Sequence, residues 1–282
     1  MKLSVFTVAT PDLEPEALIA AAKEAGLDGI EWRYRTTPPE RRNETPSFWG
    51  NNRCTLDPET LTPETIDALA AEVRGSGLQT AAVMPYLTVG DLEETERAMS
   101  HAARLGAKAM RVGVPSYDRS VPYGVLFEKA IVYLEQVEAL SKQYGVKGLI
   151  ETHHVTIAPS AGLARRLVER FDPDCIGVLF DPGNMVHEGY ENFRMGLELL
   201  GPYLAHVHVK NAGWFPGEAS GKPWVCRWTP MEAGIVDWKQ VVADLKSVGF
   251  DGWFGLEDFS GTYDSVSMMR RYAEWLRPLA NG

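Results

Sequence analysis

Long apolar runs are missing from this sequence. The start, Met-Lys-Leu-Ser-Val-Phe-Thr-Val-Ala-Thr, has no extended apolar stretch or small-residue cleavage site, and no later run is long enough to span a bilayer. No membrane partner is expected, and the protein is expected to be cytoplasmic. Cysteine is scarce: Cys54, Cys175 and Cys226 are an odd number and show no Cys-x-x-Cys spacing, which excludes a disulfide framework and a zinc ribbon. Positive charge is also short, with 28 Lys and Arg against 38 Asp and Glu; the net charge of −10 repels phosphate backbones, so no nucleic acid partner is expected. No Walker-type segment occurs, and the first turn, Ala9-Thr10-Pro11-Asp12, lacks a glycine-rich phosphate loop, which disfavours a doubly wound nucleotide-binding sheet.

What is present is a recurring joint. An amphipathic helix ends in Gly followed by an apolar residue at Ala25-Gly26-Leu27, Ser76-Gly77-Leu78, Leu105-Gly106-Ala107, Tyr144-Gly145-Val146 and Val248-Gly249-Phe250. Glycine after a helix closes a left-handed C-cap, and the next apolar residue packs back on the last turn. Helical stripes such as Phe127, Ala130, Ile131, Leu134, Val137 and Leu140 recur at the helical period and face a sheet. The joints predict strands over 3–8, 29–34, 79–84, 109–114, 148–152, 176–181, 205–210 and 253–258. Strands this apolar are covered on both faces, and alternating β and α segments call for a parallel sheet. The expected fold is therefore α/β, a single (β/α)₈ TIM barrel forming one domain over residues 1–282, a length that suits one barrel. Two long connections, 35–61 and 211–236, carry Phe48, Trp49, Trp214, Phe215, Trp224 and Trp228 and are expected to be ordered walls or lids.

Four predicted strands end in a strong metal ligand: Glu151, Asp181, His208 and Glu257. In a closed barrel the strand C-termini meet at one mouth, so these side chains are expected to converge. His206 and His208 share a strand face, and parity alone does not choose between them; nearness to the mouth favours His208 and leaves His206 one layer deeper. Three carboxylates and an imidazole suit one divalent ion, Mn²⁺ first, with Mg²⁺, Co²⁺ or Zn²⁺ compatible.

The words Ile150-Glu151-Thr152-His153, Asp181-Pro182-Gly183-Asn184, His206-Val207-His208-Val209-Lys210, Gly234-Ile235-Val236-Asp237-Trp238 and Gly255-Leu256-Glu257 make the chain resemble the xylose isomerase-like barrel superfamily over nearly its whole length. Members include ketose 3-epimerases, inosose dehydratases and an apurinic endonuclease branch. The resemblance implies that Glu151, Asp181, His208 and Glu257 bind the metal and that Glu151 and Glu257 also move protons. Asn184 departs from it, standing where ketose 3-epimerases tend to have a substrate-contacting histidine. The endonuclease branch needs additional histidines that a chain with 6 does not furnish.

The expected reaction is proton transfer through an enediolate, isomerising or epimerising a sugar or cyclitol; the alternative is β-elimination from a keto-sugar, keto-glycoside or inosose. The expected partner is a small polyhydroxylated carbonyl compound, and the sequence allows a homo-oligomer. Candidate substrate contacts are Glu31 at the end of the second strand, His153, Asn184, His187, Lys210, Trp214 and Arg227, with Trp49 as a second flat face. Glu31 is alternatively a partner of Arg33 or Arg111, and Lys210 of Glu257 or Asp181. Asp258, of opposite parity to Glu257, is expected to serve packing.

Overall fold

A computed structural model describes residues 1–218 and 221–281. Residues 219 and 220 of the connection expected over 211–236, and residue 282 of the expected domain, lie outside the described residues. Eight strands close into a parallel barrel: β1 (Lys2–Phe6), β2 (Gly29–Tyr34), β3 (Gln79–Pro85), β4 (Ala109–Arg111), β5 (Lys147–Glu151), β6 (Ile176–Phe180), β7 (Leu204–Val209) and β10 (Trp253–Leu256), in the cyclic order β1-β10-β7-β6-β5-β4-β3-β2. All five joint glycines adopt positive φ, between 66° and 87°, as the helix-to-strand reading requires.

Strand parity separates two apolar layers. Phe6, Val8, Ala82, Met84, Leu149 and Leu179 fill the barrel interior, while Ile30, Trp32, Met110, Ile150, Val178, Phe180 and Phe254 pack outward under the helices. Each inward layer is only a few side chains deep. Whatever follows Leu149 and Leu179 at the next inward position therefore reaches the mouth, and those residues are Glu151 and Asp181.

Six of the eight strands stop earlier than the sequence suggests, while β2 ends where expected and β3 one residue later. The first gives way to a 3-10 turn at Thr7–Ala9, β4 stops at Arg111, and β6, β7 and β10 each end just before Asp181, Lys210 and Glu257. The cause at Asp181 is its second role as N-cap of α6 (Pro182–His187): Oδ1 accepts the Asn184 backbone N–H at 2.8 Å, which turns the chain out of the sheet. Oδ2 is left to face the mouth.

The connection over 211–236 is not plain loop. It holds an antiparallel hairpin of β8 (Asn211–Pro216) and β9 (Trp224–Thr229), with Asn211 opposite Thr229 and Trp214 opposite Cys226. Asn211 fastens its base: Nδ2 donates to Met231 O and Val236 O at 2.8 and 2.9 Å, and Oδ1 accepts the Val236 N–H at 2.9 Å. Gly234 is required beside it, because a Cβ there would strike the Asn211 amide. Asp237 then caps α8 (Trp238–Ser247), and Trp238 Nε1 donates to Lys210 O at 3.2 Å. The Gly234–Trp238 motif is thus scaffolding for the strand end that carries His208 and Lys210. The connection over 35–61 has one 3-10 turn, Pro39–Arg41, and isolated bridges from Tyr34 to Leu56 and Pro46 to Asn51.

Candidate active site and metal centre

At the C-terminal mouth, ligand atoms of Glu151, Asp181, His208 and Glu257 lie within 4.8 Å of one another, and all four side chains are buried. His208 Nδ1 stands 3.4 Å from Glu151 Oε1, 3.4 Å from Glu257 Oε2 and 3.7 Å from Asp181 Oδ2. It is buried and makes no hydrogen bond. A nitrogen facing three carboxylate oxygens without bonding any of them suits a shared cation, and the donor set is that of a hard or borderline divalent ion. Burial disfavours charge on His208, but the Glu257, Asp181, Glu151 and Glu31 carboxylates outweigh it and hold its pKa well above the ordinary histidine value. The cluster is short of positive charge.

The ring orientation of His208 is set from below. Its Nε2 lies 2.9 Å from Glu31 Oε2, His206 Nε2 lies 3.0 Å from Glu31 Oε1, and Ser4 Oγ also donates to Glu31. Glu31 is fully buried inside the barrel, not at the mouth where a sugar hydroxyl would meet it, and it pairs with neither Arg33 nor Arg111. The reading of Glu31 as a hydroxyl contact is corrected by its depth. Burial raises its carboxyl, but the two histidines overcome this and hold it far below the usual range. His206, two residues earlier on the same face of β7, occupies the deeper layer that its distance from the mouth implies.

Each mouth glutamate has its own cation. Arg111 Nη1 donates to Glu151 Oε2 at 2.7 Å, and Lys210 Nζ donates to Glu257 Oε2 at 2.5 Å while standing 2.9 Å from Asp181 Oδ2. Burial would raise Glu151, but Arg111 outweighs it and pulls the carboxyl down. Glu257 goes the other way, raised by burial and by repulsion from Asp181 and Glu151. Burial works against charge on Lys210, yet Asp181 and Glu257 push its pKa above the ordinary lysine value. Asn184 Nδ2 donates to Asp181 Oδ2 at 2.9 Å and Glu151 Oε1 at 3.1 Å, so this amide ties two of the converging carboxylates together.

Above the cluster opens a cavity of about 440 Å³, lined by Glu151, Glu257, Lys210, Asn184, Arg111, His153 and His154, with Trp49, Tyr86, Trp228 and Phe259 as its aromatic walls. Trp49 packs on Phe259 at 4.8 Å, joining the first long connection to the last strand end. His153, His154 and His187 stack in series, with ring centroids 4.4 and 4.6 Å apart, and His187 rests on Trp228 at 4.2 Å. Burial lowers His154 to about 3 and His187 to about 4, so both are neutral near pH 7.

Three expected contacts do not reach this cavity. Trp214 Nε1 donates to Val186 O at 2.9 Å, pinning the hairpin to α6 with its ring turned outward. Arg227 is exposed on the face of β9 opposite Trp228, because successive side chains of a strand alternate. His187 stands behind His154 rather than on the lining. Sequence reasoning named Trp228 only among the aromatics of a wall or lid, without a place on the lining, and missed Tyr86, His154, Phe259 and the Arg111–Glu151 pair. Arg111 was findable, being the inward residue at the end of β4; Trp228 was not, because its direction depends on an unrecognised hairpin. Asp258 accepts from Ser260 N–H and Tyr272 OH at 2.6 and 2.8 Å, a packing role.

A closed parallel barrel with a buried carboxylate–histidine cluster at its C-terminal mouth is the architecture of a barrel enzyme. Residues 19–279 match the family model of the xylose isomerase-like TIM barrel, and the chain belongs to that family. The inosose dehydratase of Geobacillus thermodenitrificans is 25% identical over 218 residues, 67% of this chain and 71% of that one. Among solved structures, the IOLI protein with a binding zinc atom superposes with a TM-score of 0.75 at 17% identity, covering 99% of this chain and 98% of its own. The 3-keto-D-glucoside 4-epimerase of E. coli gives 0.73 at 17% identity, covering 99% of each chain. At these identities the structural likeness concerns the fold.

Proposed function

We propose that the chain is a metal-dependent isomerase or epimerase of a sugar or cyclitol carbonyl compound. The observation that carries this reading is the placement of Glu151 and Glu257, which line one cavity from opposite flanks of the Asp181–His208 pair, each held by its own cation. A proton taken beside a carbonyl by one carboxylate and returned by the other from the opposite side inverts that carbon. Glu151, Asp181, His208 and Glu257 would hold the ion, Mn²⁺ being the best match to three carboxylates and one imidazole. When bound, it supplies a Lewis acid that draws charge from a carbonyl and the hydroxyl beside it. Arg111 orients Glu151, Lys210 orients Glu257, and Asn184 fixes the angle between Glu151 and Asp181. Trp49, Trp228 and Phe259 offer flat faces to a ring and keep water from the exchanging carbon.

Dehydration is the second reading, favoured by the name of the curated relative and by His153 on the cavity wall, an imidazole available to protonate a leaving hydroxyl. The two part after the first proton leaves. Ketoses, inososes and 3-keto glycosides incubated with Mn²⁺-loaded enzyme in D₂O should take up deuterium at the carbon beside the carbonyl without losing water. Loss of water or of an aglycone as the sole outcome rejects the isomerase reading in favour of the lyase.

A further inference from the structure

β2 turns a second ionisable side chain inward above Glu31. Arg33 shares its parity, is 1% exposed, and makes no ion pair among the described residues. Its Nη1 donates to Thr55 Oγ1, and its buried Nε has no partner. Among the described residues the other charges around the mouth and in the layer beneath it are matched: Arg111 by Glu151, Lys210 by Asp181 and Glu257, Glu31 by His206 and His208. A buried guanidinium without a carboxylate is destabilising, and an anionic ligand would supply the missing charge.

Arg33 is not alone. Arg35, again of the same parity but exposed, also makes no ion pair among the described residues, and the guanidinium carbons of Arg33, Arg35 and Arg111 lie 5.5, 5.3 and 4.7 Å from the centre of the Tyr86 ring. A ring face offsets part of one such charge but neutralises none. Burial lowers the Arg33 pKa; Tyr86 works against that fall, and the like-charged Arg35 and Arg111 add to it. Tyr86 and Arg111 border both the main cavity and an adjoining one of about 240 Å³ that also touches Glu151 and His153. Arg33 and Arg35 line neither cavity themselves; they bring the excess positive charge against the Tyr86 ring, one side chain back from the wall of the candidate reacting centre.

We infer that the substrate carries an oxyanion group, carboxylate or phosphate, which docks on Arg33 and Arg35 beside Tyr86 while its carbonyl end lies between Glu151 and Glu257. The inference rests on the proposed reaction for the carbonyl end only; the anion subsite stands on the arginines. Arg is suited to this role because its planar fork binds two oxygens at once.

Calorimetric titration of the metal-loaded protein with glucitol, gluconate and glucitol 6-phosphate tests it without turnover. At least one anion should bind ten times tighter than glucitol or better, with an advantage that falls as salt rises, and the preferred anion separates phosphate from carboxylate. Arg33→Met and Arg35→Gln should each cut that advantage at least fivefold while metal content stays at the wild-type value. Arg35 is exposed, so its variant decides the matter even where Arg33→Met folds poorly. Equal binding of neutral and anionic ligands, or an advantage that survives Arg35→Gln, overturns the subsite. The reaction reading fails separately, by absence of carbon-bound deuterium exchange with neutral and anionic carbonyl compounds alike.

Discussion

Glu31 shows how far a residue's role depends on depth. Parity turned it inward, as the sequence implied, but depth is fixed by barrel register: Glu31 is the third residue of β2 and lies beside Phe6, a layer below the mouth. No local pattern encodes that offset. Gly255 on β10 is what admits the carboxylate, since a Cβ there would collide with Glu31. In this position Glu31 accepts from both His206 and His208 and leaves His208 Nδ1 as the ring atom facing the three mouth carboxylates. Partners of this kind set ligand orientation and basicity, and their loss typically weakens metal binding by about 10–100-fold. Glu31→Gln should therefore bind Mn²⁺ that much more weakly in a chelator competition, and Gly255→Ala should do the same by displacing the carboxylate. Wild-type affinity in Glu31→Gln would leave Glu31 as a core residue with no part in the site.

At the scale of elements, two tryptophans that look alike in sequence separate. Trp49 is carried by the first connection onto Phe259 and lines the cavity, whereas Trp214 in β8 spends its indole N–H on Val186 O. Trp49→Ala should raise KM at little cost in stability. Trp214→Ala should lower Tm by a few degrees, since a hydrogen bond of this type contributes about 1 kcal/mol, and leave KM as it was. Kinetics and melts of both variants check the pair; the reverse pattern would mean the hairpin, not the first connection, closes on substrate. The hairpin escaped sequence reading because β8 and β9 are joined by a long segment rather than a two-residue turn, and because its aromatics read equally well as loop anchors. The barrel strands were legible for the opposite reason: each follows a glycine joint or an apolar run that only a doubly covered strand satisfies.

Over the whole molecule, legibility followed convergence. A ligand at the end of each of four strands pointed to one centre because a closed barrel leaves those ends nowhere else to go. The opposite partners, Arg111 for Glu151 and Arg33 without one, depend on side-chain reach across the mouth and were not. The same convergence has a cost for stability. A chain of net charge −10 places Glu151, Asp181 and Glu257 around one imidazole in a buried space where solvent screens little, with Arg111 and Lys210 the only cations paired to them among the described residues. A bound divalent ion relieves that repulsion in the folded state and has no comparable site in the unfolded chain. At a free metal concentration 100 times Kd, the linkage amounts to about 2.7 kcal/mol. For a chain of 282 residues that corresponds to roughly 5 °C in Tm. Chelation should lower the melting temperature by that amount and Mn²⁺ should restore it, whereas 0.5 M NaCl, which screens surface charge, should not substitute. The increment should vanish in Asp181→Asn. A melting temperature indifferent to chelation, with elemental analysis confirming that metal had been present and was removed, would show that the four side chains do not form a metal centre that matters to the fold.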